Sequence, residues 1–222
     1  MARIYSNGVR GSSEKAGRNV ARSFRVRRLR RSELPIPTLE LAQFLIGKTL
    51  VHDLPEGRIS GRIVETEGYP PGDAAGHAFR GETPPNRSLF LKRGHAHAHF
   101  AYGSCWLINV TGERAGVGGG VLLRALEPLE GVGLMQHEDR QAVWLCDLAR
   151  GPGRLAAALH IDKRSDGVDL CAKGPLWLGT AAWIPKAVGK SVRIGITRAA
   201  RRCFRLYERG NPCVSGPTRL RQ

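Results

Sequence analysis

The stretch RIVETEGY, residues 62–69, gives the strongest local indication of both fold and chemistry. It begins as an apolar, β-branched strand, but Glu65, Glu67 and Tyr69 then precede a Pro-Pro-Gly turn at residues 70–72. A carboxylate at a strand end can point into a cleft, where burial and neighbouring charges fit it for general-base chemistry. A structural ion pair with an arginine is commoner from local sequence alone, and Glu65, on the same strand face, is a candidate for one. Both interpretations of Glu67 stay open at this point.

Hairpins and helices alternate along the rest of the chain. The predicted strands cover residues 48–52, 58–66, 95–100, 105–110, 121–126, 191–197 and 204–208. The predicted helices cover residues 39–46, 134–140 and 152–160, the first with Thr38 as its N-cap and Gly47 as its stop. Residues 70–88 form a long loop that shapes the site. This pattern predicts an α+β single domain with a curved, mostly antiparallel sheet flanked by helices and a protruding β-hairpin.

Positive charge is concentrated at the two ends of the 222-residue chain. The net charge is +16, of which residues 1–31 carry +9 and residues 198–222 carry +6, which leaves +1 for residues 32–197. Arginine-rich blocks are typical of proteins that bind polyanions, although a solvated basic surface has the same composition. We predict a basic disordered arm at residues 1–33 and a folded domain at residues 34–222.

Cysteine spacing and hydropathy exclude several classes of protein. The five cysteines are odd in number and contain no CxxC pair, which argues against a disulfide framework or a zinc site and favours a reducing compartment. No apolar run approaches the roughly 18–20 residues that span a bilayer. The N-terminus lacks the apolar segment of a secretory signal, while its arginine-rich composition leaves an organellar transit peptide open.

Three further segments carry candidate chemistry. A turn at residues 101–104 presents Tyr102, which is suited to wedge between nucleic-acid bases or to fold down onto its own hairpin. Arg124 lies among the aliphatic residues of VLLRALEPLEG and needs an acidic or phosphate partner, for which Glu127 is one candidate. The Gly-Pro-Gly sequence at residues 151–153 opens a helix whose free N–H groups suit an anion.

Seven segments resemble one enzyme family in their order and spacing. They are RIVETEGY, HAFRG, TPPNRSLF, YGSCWLINVTG, VLLRALEPLEG, GPGRLAAALHID and RIGITRAA…FRLYERGNP. Each string alone is a weak signal, whereas seven collinear strings are a strong one. Over residues 35–216 the chain resembles the alkyladenine (3-methyladenine) DNA glycosylases, also called methylpurine glycosylases. The resemblance implies a monofunctional base-excision-repair enzyme that flips alkylated purines out of duplex DNA and hydrolyses the N-glycosidic bond.

The resemblance also implies roles for individual residues. Glu67 corresponds to the family's catalytic acid, which activates a water to attack C1′, and Arg124 to an arginine near that water. The implied base pocket consists of Tyr69, His77, His99 and Asn109. Tyr102 corresponds to the tyrosine that replaces the flipped base, and Arg80 and Arg154 are expected on the DNA backbone. No metal or organic cofactor is implied, and the expected partner of the monomeric protein is double-stranded DNA with damaged bases.

Four positions depart from the family pattern. His97 and His99 stand where the family usually has tyrosines, which predicts weaker, pH-dependent stacking and puts excision of neutral lesions such as hypoxanthine and ethenoadenine in question. Gly68 replaces the usual alanine beside Glu67, which is expected to loosen the strand end. Arg154 replaces a usual lysine and keeps the positive charge.

The sequence leaves two alternative functions open. The segment LARGPGRLAAAL, residues 148–159, mimics the phosphate-binding hairpin of helix-hairpin-helix glycosylases, although that superfamily is largely helical. A non-enzymatic nucleic-acid binder, in which Glu67 forms only a salt bridge, is the second alternative. The expected location is the cytoplasm or nucleoid in a bacterium, and the nucleus or an organelle in a eukaryote.

Overall fold

Strand β3, Gly57–Tyr69, is the centre of the sheet. The computed structural model describes residues 26–136, 144–185 and 187–220. Along one edge, β3 pairs first with β2 (Thr49–Leu54) and then, near its end, with β9 (Arg205–Glu208). Along the other edge it pairs with β6 (Gly120–Glu130) over most of its 13 residues. RIVETEGY is therefore enclosed by strands that come from distant parts of the chain.

The described residues form a nine-stranded antiparallel sheet that two helices cover. The remaining strands are β1 (Arg27–Arg28), β4 (Ala96–Ala101), β5 (Cys105–Thr111), β7 (Leu176–Thr180) and β8 (Val188–Ser191). The order is β1-β7-β2-β3-β6-β5-β4, with β8 paired to β9. The helices are α1 (Thr38–Leu45) and α2 (Pro152–Ala158), and short 3-10 segments cover Arg31–Glu33, Pro84–Phe90, Val132–Met135, Leu145–Leu148, Lys163–Ser165 and Thr218–Leu220. The predicted α+β class is confirmed.

Both faces of the sheet are buried. Successive side chains of a strand point to opposite faces, so Ile63 joins the large cluster that contains Leu41 of α1 and Leu155 of α2, whereas Val64 packs with Tyr207 in a smaller cluster. The continuous apolar sequence of β3 follows from this two-sided burial. Among the described residues, every helix falls short of the length and apolar character that crossing a bilayer requires.

Most predicted elements are confirmed, and each difference has a physical cause. Thr38 begins α1 instead of capping it, because its hydroxyl donates to Glu113 at 2.7 Å and Pro37 takes the cap position. The predicted strand at 191–197 is wrong beyond Ser191, where the chain leaves β8 and turns towards the end of β3. Strand β7 was not predicted from the sequence. Of the predicted helix 134–140, Leu134 and Met135 end a 3-10 turn, Gln136 is extended and residues 137–140 lie outside the described residues.

The N-terminal boundary lies earlier than predicted. Arg27 and Arg28 form β1 on β7, and the backbone N–H of Leu29 donates to Leu178 at 2.9 Å. Leu29 is also buried in the main core. Residues 26–33 therefore belong to the folded domain, and the arm prediction now concerns residues 1–25, which lie outside the described residues.

The cysteine prediction needs correction too, because Cys146 and Cys213 form a disulfide. The two residues are 67 positions apart, so no local spacing reveals the pair. Cys105, Cys171 and Cys203 are free, which accounts for the odd total. The link ties the segment before α2 to the segment after β9.

Loss of this disulfide is expected to lower the thermal stability. A link across 67 residues constrains the unfolded chain by about 4 kcal/mol, which for a chain of this size corresponds to about 10 °C in Tm. Calorimetry of the oxidised protein and of a Cys146→Ala/Cys213→Ala variant measures this difference. Cys203→Ala, at an exposed free cysteine, is the control and should leave Tm unchanged; equal Tm values for all three proteins would contradict the expectation.

Candidate active site

Glu67 is held in a fixed position at the end of β3. Its side chain is 0% exposed. One carboxylate oxygen accepts the backbone N–H of Ile194 at 2.8 Å and lies 3.3 Å from a terminal nitrogen of Arg124. The other oxygen accepts the hydroxyl of Tyr69 at 2.9 Å. Contacts from three separate segments therefore orient this carboxylate.

Glu65 and Arg205 complete a buried set of four charges. Glu65 accepts Nε–H of Arg124 at 2.9 Å, Nε–H of Arg205 at 2.7 Å and the backbone N–H of Ser215 at 2.6 Å. Burial opposes ionisation of Glu65, but the two guanidinium groups and the hydrogen bonds outweigh it and hold its pKa below the ordinary value. We call Glu65, Glu67, Arg124 and Arg205 the charge network. Glu65 is thus the ion-pair member that the sequence indicated.

Arg124 joins the two carboxylates of the charge network. Burial opposes its charge, yet Glu67 and Glu65 raise the pKa of Arg124 above its usual value. The predicted alternative partner, Glu127, is wrong, because Glu127 instead bonds to Arg62 directly opposite on β3.

A cavity of about 350 Å³ opens beside the charge network. Its wall includes Tyr69, Arg124 and Ile194, the three groups that hold Glu67, so Glu67 lies directly behind the wall. The other predicted pocket residues, His77, His99 and Asn109, also line the cavity, as does Tyr102. This volume falls at the lower end of the range for small-molecule sites.

Histidines form part of the cavity wall. The rings of His97 and His99 are stacked with centroids 4.9 Å apart, and His77 meets His99 edge-on at 4.3 Å. Burial, followed by the proximity of His77, lowers the pKa of His97 to about 4. Burial and the two neighbouring histidines lower the pKa of His99 to about 3. Both rings are neutral near pH 7, so the pH-dependent stacking predicted from the sequence is confined to acidic solution.

Tyr102 projects from the tip of the β4–β5 hairpin. Its exposed fraction is 82%, so the alternative in which the ring folds down onto its own hairpin is wrong. Its φ of 55° is uncommon for a residue other than glycine, and Gly103 beside it also has a positive φ, of 64°. This backbone carries the ring into solvent at the rim of the cavity.

Two predicted DNA contacts lie outside the cavity. Arg154 is half-exposed on α2, 3.7 Å from Asp147, beside a surface groove that α2 shares with the β4–β5 hairpin. Arg80 is exposed on the loop between β3 and β4. A Cβ on Gly68 would lie 2.6 Å from a methyl carbon of Leu39, so the glycine lets α1 approach the end of β3.

Arg193, which was not predicted from the sequence, supports the position of Tyr69. Its buried guanidinium donates to the backbone carbonyl of Gly68 and to Asp73, both at 3.0 Å, and lies 4.5 Å from the centroid of the Tyr69 ring. Burial, followed by the charge of Glu67, raises the pKa of Tyr69, so its hydroxyl stays a proton donor. The sequence did contain a signal for Arg193. It lies within the apolar RIGIT segment, and an arginine among apolar residues needs a polar partner, as Arg124 does.

Comparison with known proteins identifies the family. A profile of the methylpurine-DNA glycosylase family matches residues 32–212. The chain belongs to this family. A protein of Mesorhizobium japonicum, named provisionally as a 3-methyladenine DNA glycosylase, is 59% identical over 192 residues, which cover 86% of this chain and 92% of that protein. Similarly named proteins of Paraburkholderia phytofirmans and Methanocella arvoryzae are 50% and 42% identical, over 86% and 81% of this chain and 90% and 91% of their own lengths.

Family membership confirms the resemblance found in the sequence. The chain is a DNA glycosylase, an enzyme of DNA repair that hydrolyses N-glycosyl bonds. The helix-hairpin-helix alternative is wrong, since the described residues form a nine-stranded sheet with only short helices. The non-enzymatic alternative does not fit a family of enzymes.

Replacement of Glu65 is expected to destabilise the methylpurine-DNA glycosylase fold in a pH-dependent way. Glu65→Gln leaves Arg205 without its buried counter-ion, which costs about 3 kcal/mol at pH 7. Because the folded-state pKa of Glu65 is lowered, its contribution is complete above the unfolded value near 4.5 and disappears as the pH falls through the folded value. Urea unfolding at a series of pH values from 7 downwards measures the free energies of unfolding of wild type and variant. The difference between the two should shrink as the pH falls.

Glu56→Gln is the matched control for the Glu65 measurement. Glu56 is exposed in the β2–β3 turn, and removal of its charge should change the free energy of unfolding by less than about 0.5 kcal/mol. A stability difference between wild type and Glu65→Gln that stays constant down to acid pH would show that the charge of Glu65 contributes nothing.

Proposed function

We propose that this protein is a monofunctional glycosylase that flips alkylated purines, 3-methyladenine and related lesions, out of duplex DNA and hydrolyses the N-glycosidic bond with a water activated by Glu67. The observation that carries the proposal is the carboxylate of Glu67, buried and oriented by Tyr69, Ile194 and Arg124 behind a cavity lined by aromatic rings. The names of the relatives, 3-methyladenine DNA glycosylases, support the choice of lesion.

Glu67 acts as the general base in this proposal. The bond between C1′ and the base nitrogen breaks with its electron pair going to the base, and a positive charge develops on the sugar. Water oxygen forms the new bond to C1′ and its proton passes to Glu67. The ion pair with Arg124 fixes the position of the Glu67 carboxylate, and the negative charge of Glu67 stabilises the cationic sugar.

In this proposal, that water reaches Glu67 by replacing part of its contact with Tyr69. A carboxylate has about four lone-pair sites. Among the described residues, Tyr69 is the hydrogen-bond donor to one carboxylate oxygen, while the other oxygen contacts both Ile194 and Arg124. Tyr69 itself lines the cavity, so a water that replaces part of this contact would lie between Glu67 and the sugar.

The cavity rings bind the flipped base by stacking. Purines alkylated at N3 or N7 are cationic, which makes them good leaving groups and favours contact with aromatic faces. Tyr69, His77 and His99 supply rings to the cavity. Asn109, whose side-chain amide donates to the backbone carbonyl of His97 at 3.3 Å, presents an edge that excludes the amino group of guanine. Damaged, weakly paired bases cost less to flip than intact ones.

Exposed groups around the cavity mouth bind the DNA duplex. The exposed ring of Tyr102 fills the space that the flipped nucleotide leaves in the stack. Arg154 and Arg80, both exposed, contact the backbone phosphates. A single copy of the chain contains each of these groups, and the proposed active form is a monomer.

Glu67→Gln is expected to slow the release of 3-methyladenine by about 10³-fold, since an amide cannot take the proton of water. Single-turnover assays on alkylated duplex DNA measure the rate, and DNA binding should persist. Glu127→Gln, at a carboxylate whose ion-pair partner is Arg62, is the control and should retain the wild-type rate. Wild-type release by Glu67→Gln would rule out the assigned base.

The same assay resolves the range of lesions. Duplexes that contain alkylated purines, hypoxanthine or ethenoadenine are incubated with the protein, and the released bases are identified by chromatography. Release of alkylated purines supports the proposal, whereas release of only neutral lesions would contradict the role given to cationic stacking.

Deletion of residues 1–25 is expected to weaken DNA binding while base release persists at low salt. This segment carries six basic residues against Glu14, and every phosphate that the shortened protein no longer neutralises lowers the slope of log K against log salt by about 0.9. Anisotropy titrations at several salt concentrations measure the slope.

The cut precedes Val26 because β1 begins at Arg27. A neutral Gly/Ser segment of equal length is the matched control, and an unchanged slope in both variants would contradict a role of the arm in binding.

A further inference from the structure

His77, His97 and His99 form a compact group of imidazoles. Each has one ring nitrogen that lies within 4.8 Å of a ring nitrogen of both others. The three residues come from two segments: His97 and His99 point the same way from β4, and His77 reaches them from the loop after β3. We call these residues the histidine triad.

Among the residues that the structure describes, two nitrogens of the histidine triad have no hydrogen-bond partner. Nε2 of His97 and Nδ1 of His99 are buried and accept or donate no hydrogen bond within the described residues. The side chain of His97 is only 1% exposed. Since buried polar atoms are nearly always satisfied, an unpartnered nitrogen on a cavity wall indicates a ligand that completes it.

The far side of His97 is bonded in the way expected of a metal ligand. Its Nδ1 lies 2.6 Å from the hydroxyl oxygen of Ser88, and this hydroxyl donates to Asp166 at 2.6 Å. With the Ser88 proton directed to Asp166, the Ser88 oxygen accepts the Nδ1 proton of His97, which leaves a lone pair on Nε2. Metal-bound histidines typically donate their second N–H to such a polar relay, which fixes the tautomer and the ring orientation.

We propose that the histidine triad binds a divalent transition-metal ion of the Zn²⁺ class inside the cavity. Three neutral imidazoles with one open position form a ligand set that suits zinc. Zn–N bonds of about 2.0–2.1 Å require the three nitrogens to approach one another from their present spacing. His77 is exposed on a loop, so rotation of its side chain supplies most of that movement.

A bound ion would occupy the space proposed for the flipped base. His77, His97 and His99 all line the 350 Å³ cavity, and the open coordination position faces its interior. The ion also places positive charge where a cationic purine would stack. This consequence rests on the proposed function: the metal competes with the damaged base and inhibits its release.

Metal binding is tested without DNA on the full chain after treatment with chelator. Calorimetric titration with Zn²⁺ should give one site in the wild type, and His97→Phe and His99→Phe should each bind at least about tenfold more weakly. Ser88→Ala, which leaves all three ligands in place, should weaken binding about tenfold, the effect of removing an outer hydrogen bond. Absorption of Co²⁺ should show visible tetrahedral bands without the near-ultraviolet thiolate band of a cysteine ligand.

His52→Gln is the matched control for these variants. His52 lies on β2, where its Nδ1 contacts the carbonyl of Leu159, away from the cavity, and its replacement should leave the metal affinity unchanged. Absence of a Zn²⁺ site in the wild type would overturn the proposal. So would an affinity of His97→Phe and His99→Phe equal to that of the wild type, or a thiolate band with Co²⁺.

Inhibition is measured as the ratio of base release with and without Zn²⁺ for each protein. The ratio should fall at least about tenfold at a concentration 10 times the measured Kd in the wild type and stay near unity for His99→Phe. Zn²⁺ that binds the triad without slowing release would overturn the placement of the ion in the base site. A wild type that releases no base even without metal would contradict the proposed function, whereas the DNA-free titrations would still decide the metal site.

Discussion

The contact of Arg124 with two buried carboxylates is the interaction on which the site depends. A lone ionised glutamate in an apolar sheet would be too costly in free energy. Two carboxylates, Glu65 and Glu67, and two guanidinium groups, Arg124 and Arg205, balance one another here. They come from β3, β6 and β9, so the charge balance exists only once these strands have paired. The ion pair and the general base, which the sequence offered as alternatives for Glu67, are therefore compatible: the pair holds the carboxylate in place.

Polar and aromatic groups occupy different depths of the site. The charge network lies within the sheet, and the rings lie on the cavity wall. Tyr69 connects the two layers, because its hydroxyl donates to Glu67 while its ring packs against Arg193. Arg193 is itself fixed by Asp73 and by the backbone of β3. A change at Arg193 would thus alter both the orientation of Glu67 and the shape of the cavity wall.

The sequence predicted those elements whose signals lie within a few neighbouring residues. The long strand through RIVETEGY, the exposed Tyr102 turn and α1 each follow from apolar periodicity and turn residues, and the structure has them. The partner of Arg124 was missed because it depends on register between strands that are distant in sequence. The segment after Ser191 alternates like a strand, yet Ile194 and Ile196 line the cavity instead of joining the sheet. Apolar and polar residues alternate in both a sheet strand and an extended segment that lines a cavity, so this alternation does not distinguish them.

The histidines of β4 show how a site can keep its shape while its chemistry changes. An imidazole preserves an aromatic wall where related enzymes usually have tyrosine, but it adds a nitrogen lone pair that faces the cavity. Burial keeps His97 and His99 uncharged near pH 7, so their rings add flat faces but no positive charge to the cavity wall. The same burial leaves two ring nitrogens without partners among the described residues, a state that an apolar wall of similar shape would avoid. The cavity wall therefore combines flat aromatic surfaces with ring nitrogens that have hydrogen-bonding capacity to spare among the described residues.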